Sequence, residues 1–184
     1  MRRFFRAFRK ARYPYKPLVE IKLSKENLIS NLSSVREKCP SLAIAPVLKS
    51  NAYGHGIVQV AEILDKEKTD FLVVDSYYEA LVLRNEHIKS PILIIGFTDP
   101  ENIYTNKLQN VAFTITNIET LRQLSKNLTQ TTHFHLKVDT GMHRQGIAMT
   151  EVQEVCDLIS QNTHIILEGL CSHLAEAGKT DSPD

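Results

Sequence analysis

From residue 42 onward the chain repeats one pattern six times: a short apolar run, then a longer stretch whose apolar residues fall at helical spacing. The runs lie near 42–49, 70–75, 91–96, 111–115, 132–139 and 164–172, and one more precedes them near 18–23. The clearest intervening segments carry Leu28, Leu32 and Val35, then Ile57, Val60, Ala61 and Leu64, each set on one helical face. Ser24 predicts an N-cap for the first helix and Pro40 its stop. Strands separated by helices cannot be hairpins, so the units are parallel β-α crossovers. No GxGxxG follows the first strand, which argues against a dinucleotide-binding doubly wound sheet. The expected fold class is α/β, an incomplete (β/α)8 TIM-type barrel of about six β-α units, where closure needs about eight. With two units wanting and a loop-like end at TDSPD, the chain reads as a fragment of a longer protein.

With 184 residues, 42% of them hydrophobic, the chain has enough apolar material for one domain with a core. Its 22 basic and 21 acidic residues leave a net charge of +1, which argues against nucleic acid or an anionic membrane as the main partner. The first 17 residues differ. Arg2, Arg3, Arg6, Arg9, Lys10 and Arg12 stand among Phe4, Phe5 and Phe8, and no acidic residue precedes Glu20. Residues 1–17 are therefore set apart as a basic N-terminal extension, and 18–184 as the barrel portion. No apolar run of about 7–15 residues follows those charges, so a secretory signal is not expected. No stretch approaches the roughly 20 apolar residues of a membrane span. Cys39, Cys156 and Cys171, an odd number without a CxxC pair, suit a reducing cytoplasm. Cys156 reads as a small core residue beside Val152, Val155 and Ile159.

Barrels build their sites at the C-terminal ends of strands, and three such places carry unusual residues. In IAPVLKSNAYGHG, residues 44–56, alternation sends Ile44, Pro46 and Leu48 to one face and Ala45, Val47 and Lys49 to the other. Lys49 then ends a strand pointing inward, where an amine among apolar groups is available to attack an aldehyde and form a Schiff base. Tyr53, Gly54, His55 and Gly56 lead into a helix, a natural place for a phosphate. In THFHLKVDTGMHRQG, residues 132–146, one strand face carries His133, His135, Lys137 and Asp139, a row costly to bury unless its members bond one another or a ligand. Arg144 follows a turn containing Gly141 and offers a planar fork for a carboxylate or phenolate oxygen. In LEGLCSHLAEAG, residues 167–178, Gly169, Cys171 and His173 alternate inward, the glycine leaving room for a ring and His173 standing at the rim.

In order and spacing, KSNAYGHG, KVDTGMHRQG and the looser SHLAEA segment resemble the signature motifs of the alanine racemase family over roughly residues 17–184, with Leu174 where phenylalanine is more usual. The resemblance implies a pyridoxal 5'-phosphate enzyme built of a barrel and a C-terminal β domain, a cytoplasmic homodimer interconverting L- and D-alanine for peptidoglycan synthesis. On it, Lys49 carries the cofactor and is the base on one face of the substrate, and Tyr53 contacts the cofactor phosphate. Lys137 matches a lysine that is often carbamylated. Arg144 steadies the cofactor's phenolic oxygen, the carbamate and the substrate carboxylate, and His173 lies beside the ring. The acid for the opposite face is, in the family, a tyrosine of the other subunit's C-terminal domain, which this chain lacks, so the fragment is expected to be inactive alone. No metal is implied.

Two rivals remain. HxH on a strand followed by a carbamylatable lysine also suits a metal-dependent barrel hydrolase; here HxH lies before the strand's end and no second ligand cluster follows. A non-catalytic barrel that binds pyridoxal phosphate shares a strand-end lysine, but KVDTGMHRQG favours the racemase.

Overall fold

The structure, a computed structural model, describes residues 18–175 and 178, so the basic extension 1–17 lies outside the described residues. The first helix, α1 (Lys25–Lys38), begins as its sequence predicts, with Ser24 Oγ accepting the Asn27 N–H at 3.1 Å. It ends two residues before Pro40. Leu32 is buried and Leu28 packs on the core, whereas Val35 faces solvent.

Five strands follow: β1 (Leu72–Val74), β2 (Ile92–Ile94), β3 (Val111–Ile115), β4 (Thr132–Lys137) and β5 (Ile165–Cys171). They form one parallel sheet in the order β1-β2-β3-β4-β5. Helix α2 (Ile57–Leu64) precedes β1, and α3 (Tyr77–Asn85), α4 (Pro100–Tyr104), α5 (Ile118–Asn127) and α6 (Val152–Ser160) follow β1 to β4 in turn. Each of the helices α2 to α6 leads to the next parallel strand of the sheet, the winding of a barrel wall rather than of a doubly wound sheet.

The sixth expected strand, 42–49, is reduced to a bridge. Val47 pairs with Val73, Leu48 N–H donates to the Val73 carbonyl at 2.7 Å, and Val73 N–H donates to the Pro46 carbonyl at 2.9 Å. Pro46 has no N–H with which to extend the ladder, and the chain turns sharply after Lys49, so the segment holds a strand's place without a strand's length. Residues 18–23 form no strand. Leu18, Val19 and Ile21 stand in solvent, because among the described residues no sheet edge receives them.

Period-2 alternation divides the core. Leu72, Val74, Ile92, Ile94, Phe113, Ile115, Phe134 and Leu136 pack under the helices, where Ile57, Val60, Ala61 and Leu64 of α2 are all buried. Val73, Leu93 and Ala112 face the opposite, concave side with Ala45, Phe71 and Ile95. Cys156 is a correction: α6 packs through Val155, Leu158 and Ile159, and Cys156 is turned outward and exposed.

Candidate active site

Because all five strands are parallel, their C-terminal ends gather the residues after Leu48, Val74, Ile94, Ile115, Lys137 and Cys171 at one rim. Lys49 is half-buried there. The chain beyond it is one turn of left-handed helix: Ser50, Asn51 and Ala52 have φ/ψ of 55/48, 57/43 and 52/49°, and Tyr53 has φ 53°. Left-handed helix costs L-residues about 1–2 kcal/mol each, so surrounding contacts must impose it. The Ala52 methyl is buried and its N–H donates to the Leu48 carbonyl at 2.7 Å. Asn51, a residue that tolerates this region, accepts the Ile57 N–H through Oδ1 at 2.9 Å and so opens α2. Gly54, at φ 89°, ends the turn. The glycine-bearing segment thus enters a helix as its sequence predicts, with Tyr53 exposed at the rim.

Lys137, the last residue of β4, is half-buried and lies in register with Cys171 of β5. Burial pushes the Cys171 thiol up, against a smaller opposing pull from Lys137. Asp139 does not share that inward row. Its Oδ1 accepts the N–H groups of Gly141 at 3.1 Å and His143 at 3.0 Å, closing the loop after β4, and those bonds, His143's first, hold its carboxyl below the usual range. The loop folds back so tightly that a Cβ on Gly146, at φ 141°, would lie 2.5 Å from the Asp139 nitrogen. Gly146 N–H reaches the Thr116 carbonyl beyond β3 at 2.9 Å. Arg144 leaves this loop exposed and, with Phe97, Thr116, Asn117, Asp139 and His143, lines a cleft of about 510 Å³.

The two histidines sit deeper in the sheet and make their own cluster. His133 Nδ1 lies 2.7 Å from Glu168 Oε1, and His135 Nε2 lies 4.0 Å from Glu168 Oε2. The His135 ring meets Phe71 edge-on at 5.7 Å, and burial lowers its affinity for a proton, with Glu168 partly offsetting this. Its Nε2 is buried without a hydrogen bond among the described residues. A Cβ on Gly169 would stand 3.0 Å from the His135 ring. The room left by this glycine is thus filled by a protein imidazole, not held open for a ligand. The predicted row of four therefore divides by depth: His133 and His135 pair with Glu168, Lys137 stands at the rim, and Asp139 braces a loop.

His173 is exposed two residues past β5. Just before it, Ser172 Oγ lies 2.5 Å from Thr140 Oγ1 and donates to the Val138 carbonyl at 3.0 Å, fastening the end of β5 to the loop after β4. Lys49, Tyr53, Lys137, Arg144 and His173 all belong to this one rim. A second cleft, about 520 Å³, opens at the other end of the strands beside Asn110, Thr132, His133 and Glu168, and none of the five lines it. Sequence reasoning missed Glu168, whose inward placement follows a register shift between Phe134 and His135. It also missed Glu79, although Ser76-x-x-Glu79 has the spacing of a capping box.

A rim holding a half-buried primary amine, a phenol, a guanidinium and an imidazole is equipped for an anionic carbonyl compound. Residues 23–184 match the family model described as alanine racemase, N-terminal domain. The chain is 34% identical over 174 residues to an alanine racemase of Staphylococcus carnosus, covering 92% of this chain and 45% of that protein. It superposes with a TM-score of 0.82 on the crystal structure of alanine racemase from Bacillus anthracis with bound L-Ala-P, at 30% identity, covering 92% of this chain and 45% of the other. It also superposes, with a TM-score of 0.79 at 26% identity, on a histidine racemase from Leuconostoc mesenteroides, covering 87% of this chain and 44% of that one. The chain thus spans less than half the length of the relatives it matches.

Proposed function

Because the chain belongs to the alanine racemase family, matching its N-terminal domain, we propose that the full-length protein interconverts L- and D-alanine with pyridoxal 5'-phosphate in the cytoplasm, for peptidoglycan synthesis. The observation that carries this reading is Lys49, a half-buried residue at the C-terminal rim of the sheet, followed at once by a left-handed turn and sharing that rim with Tyr53, Lys137, Arg144 and His173. Those donors fit the cofactor in kind: an amine for its aldehyde, Tyr53 for its phosphate, Arg144 for its phenolic oxygen and His173 for one face of its ring. When bound, the cofactor supplies an electron sink that acidifies the substrate α-proton.

Lys49 holds the cofactor and exchanges a proton at Nζ with one face of the substrate. On the family resemblance, Arg144 binds the substrate carboxylate, and Lys137 is the lysine that would carry a carbamate. The opposite face needs a second acid, which the resemblance assigns to a tyrosine in the C-terminal domain of the partner in a homodimer. Among the described residues no helix is long and apolar enough to cross a membrane. The histidine racemase likeness makes alanine the substrate to test against other amino acids.

The test is covalent capture. The chain incubated with pyridoxal phosphate and reduced with borohydride should gain a stable adduct on the tryptic peptide holding Lys49, and Lys49→Ala should gain none there. An adduct elsewhere, or an equal yield from Lys49→Ala, would overturn the assignment. Adduct without racemisation in the full-length protein would instead support the non-catalytic carrier.

A further inference from the structure

The strained segment after Lys49 receives one carboxylate from the neighbouring β-α unit. Glu79 lies in the first turn of α3, where its Oε2 accepts the N–H groups of Asp75 at 2.9 Å and Ser76 at 3.3 Å. Ser76 Oγ in turn accepts the Glu79 N–H at 3.2 Å, so the capping box is complete through one oxygen. The other oxygen, Oε1, is not needed for capping. It accepts the N–H of Asn51, in the middle of the left-handed turn, at 3.5 Å. Asn51 is also the residue whose side chain opens α2 and whose carbonyl accepts the N–H groups of Gly54 and Gly56. One carboxylate therefore joins the first turn of α3 to the residue that organises everything between Lys49 and α2.

We propose that Glu79 is a positioning residue for Lys49: its second oxygen pins the left-handed turn and so sets how the Lys49 side chain leaves the end of its strand. The inference rests on Lys49 being the cofactor lysine. A turn of four non-glycine residues at positive φ persists only when its surroundings over-determine it. A carboxylate suits the task because both its oxygens accept, whereas a glutamine of the same shape keeps one acceptor and presents a donor to the other N–H.

Glu79→Gln should therefore keep α3 capped and release the turn. Hydrogen exchange at the amides of 51–57 should accelerate about two- to fivefold, as expected for losing one long, exposed hydrogen bond to a carboxylate, with α1 and α5 unchanged. Formation of the borohydride-reducible adduct with pyridoxal phosphate should slow by a similar factor. Ser24→Ala, which removes the cap of α1, controls for general loss of stability and should move neither readout. Adding Ser50→Gly to Glu79→Gln should restore both, because glycine adopts φ near 55° without penalty and the turn then needs less support; a purely capping role would not be rescued this way. Glu79→Asp, which keeps two acceptors but is too short to serve both units, repeats the test if the glutamine variant fails to fold. Unchanged exchange at 51–57 in a folded Glu79→Gln or Glu79→Asp chain overturns the proposal. A wild-type chain that forms no adduct, though its turn loosens in Glu79→Gln, overturns the role assigned to Lys49 while leaving the carboxylate link intact.

Discussion

At His135, burial lowers the imidazole's affinity for a proton below its ordinary value of 6.5, and Glu168 offsets only part of this. Between that value and the lower folded one, the unfolded chain binds a proton that the folded chain does not. The stabilisation from a neutral His135 is thus fully present above pH 6.5 and is lost as pH falls from there through the folded value. In His135→Asn the urea midpoint should vary less with pH below 6.5 than in wild type; an undiminished dependence would assign the titration to another group. Two glycines should separate close approach to backbone from close approach to a side chain. Gly146→Ala places a Cβ 2.5 Å from the Asp139 nitrogen at φ 141° and should cost about 2–3 kcal/mol by urea denaturation. Gly169→Ala meets only the His135 ring at 3.0 and 3.1 Å and should cost about 1 kcal/mol. That Lys49 and Arg144 lie at the rim was legible at this scale because each follows a contiguous apolar run. Glu168 was not, because its partners His133 and His135 lie on another strand.

Among the elements, α3 shows how a helix is locked to a sheet at its far end. Arg84 donates through Nε to the Gln109 carbonyl at 3.0 Å, through Nη1 to Ile88 at 2.8 Å, and through Nη2 to Ser90 at 3.0 Å and Asn110 at 2.9 Å. These carbonyls precede β2 and β3, so one guanidinium joins α3 to the starts of two strands. Arg84→Lys keeps the charge but not the fork, and should lower stability by about 2 kcal/mol in thermal or urea unfolding; a neutral result would mean the carbonyls find water at no cost. Helices α1 and α2 were legible because their apolar spacing is local, as is the Ser24 cap of α1. The segment 42–49 was not, since its apolar residues suit a strand while Pro46 and the left-handed turn at Ser50 stop the ladder at one bridge.

Over the whole molecule, β5 is the outermost strand of the sheet and the least covered. Leu167, Leu170 and Leu174 stand 39%, 69% and 69% exposed, a row of large apolar side chains beside an edge unpaired among the described residues. Such an edge invites association. The chain should self-associate in sedimentation experiments as its concentration rises, and Leu170→Lys should shift it toward monomer; the same distribution for both would exclude this face. The order of the β-α units, their parallel sense and the rim at which Lys49, Lys137 and Arg144 gather were determined by the sequence itself, because hydrophobic period, capping and crossover connection act over a few neighbouring residues. Only the tertiary structure decided that Asp139 braces a loop, that the space beside Gly169 is filled by His135, and that Glu79 reaches Asn51. Each of those depends on which side chains distant in the chain meet across strands, and on whether a polar group finds its partner there or in water.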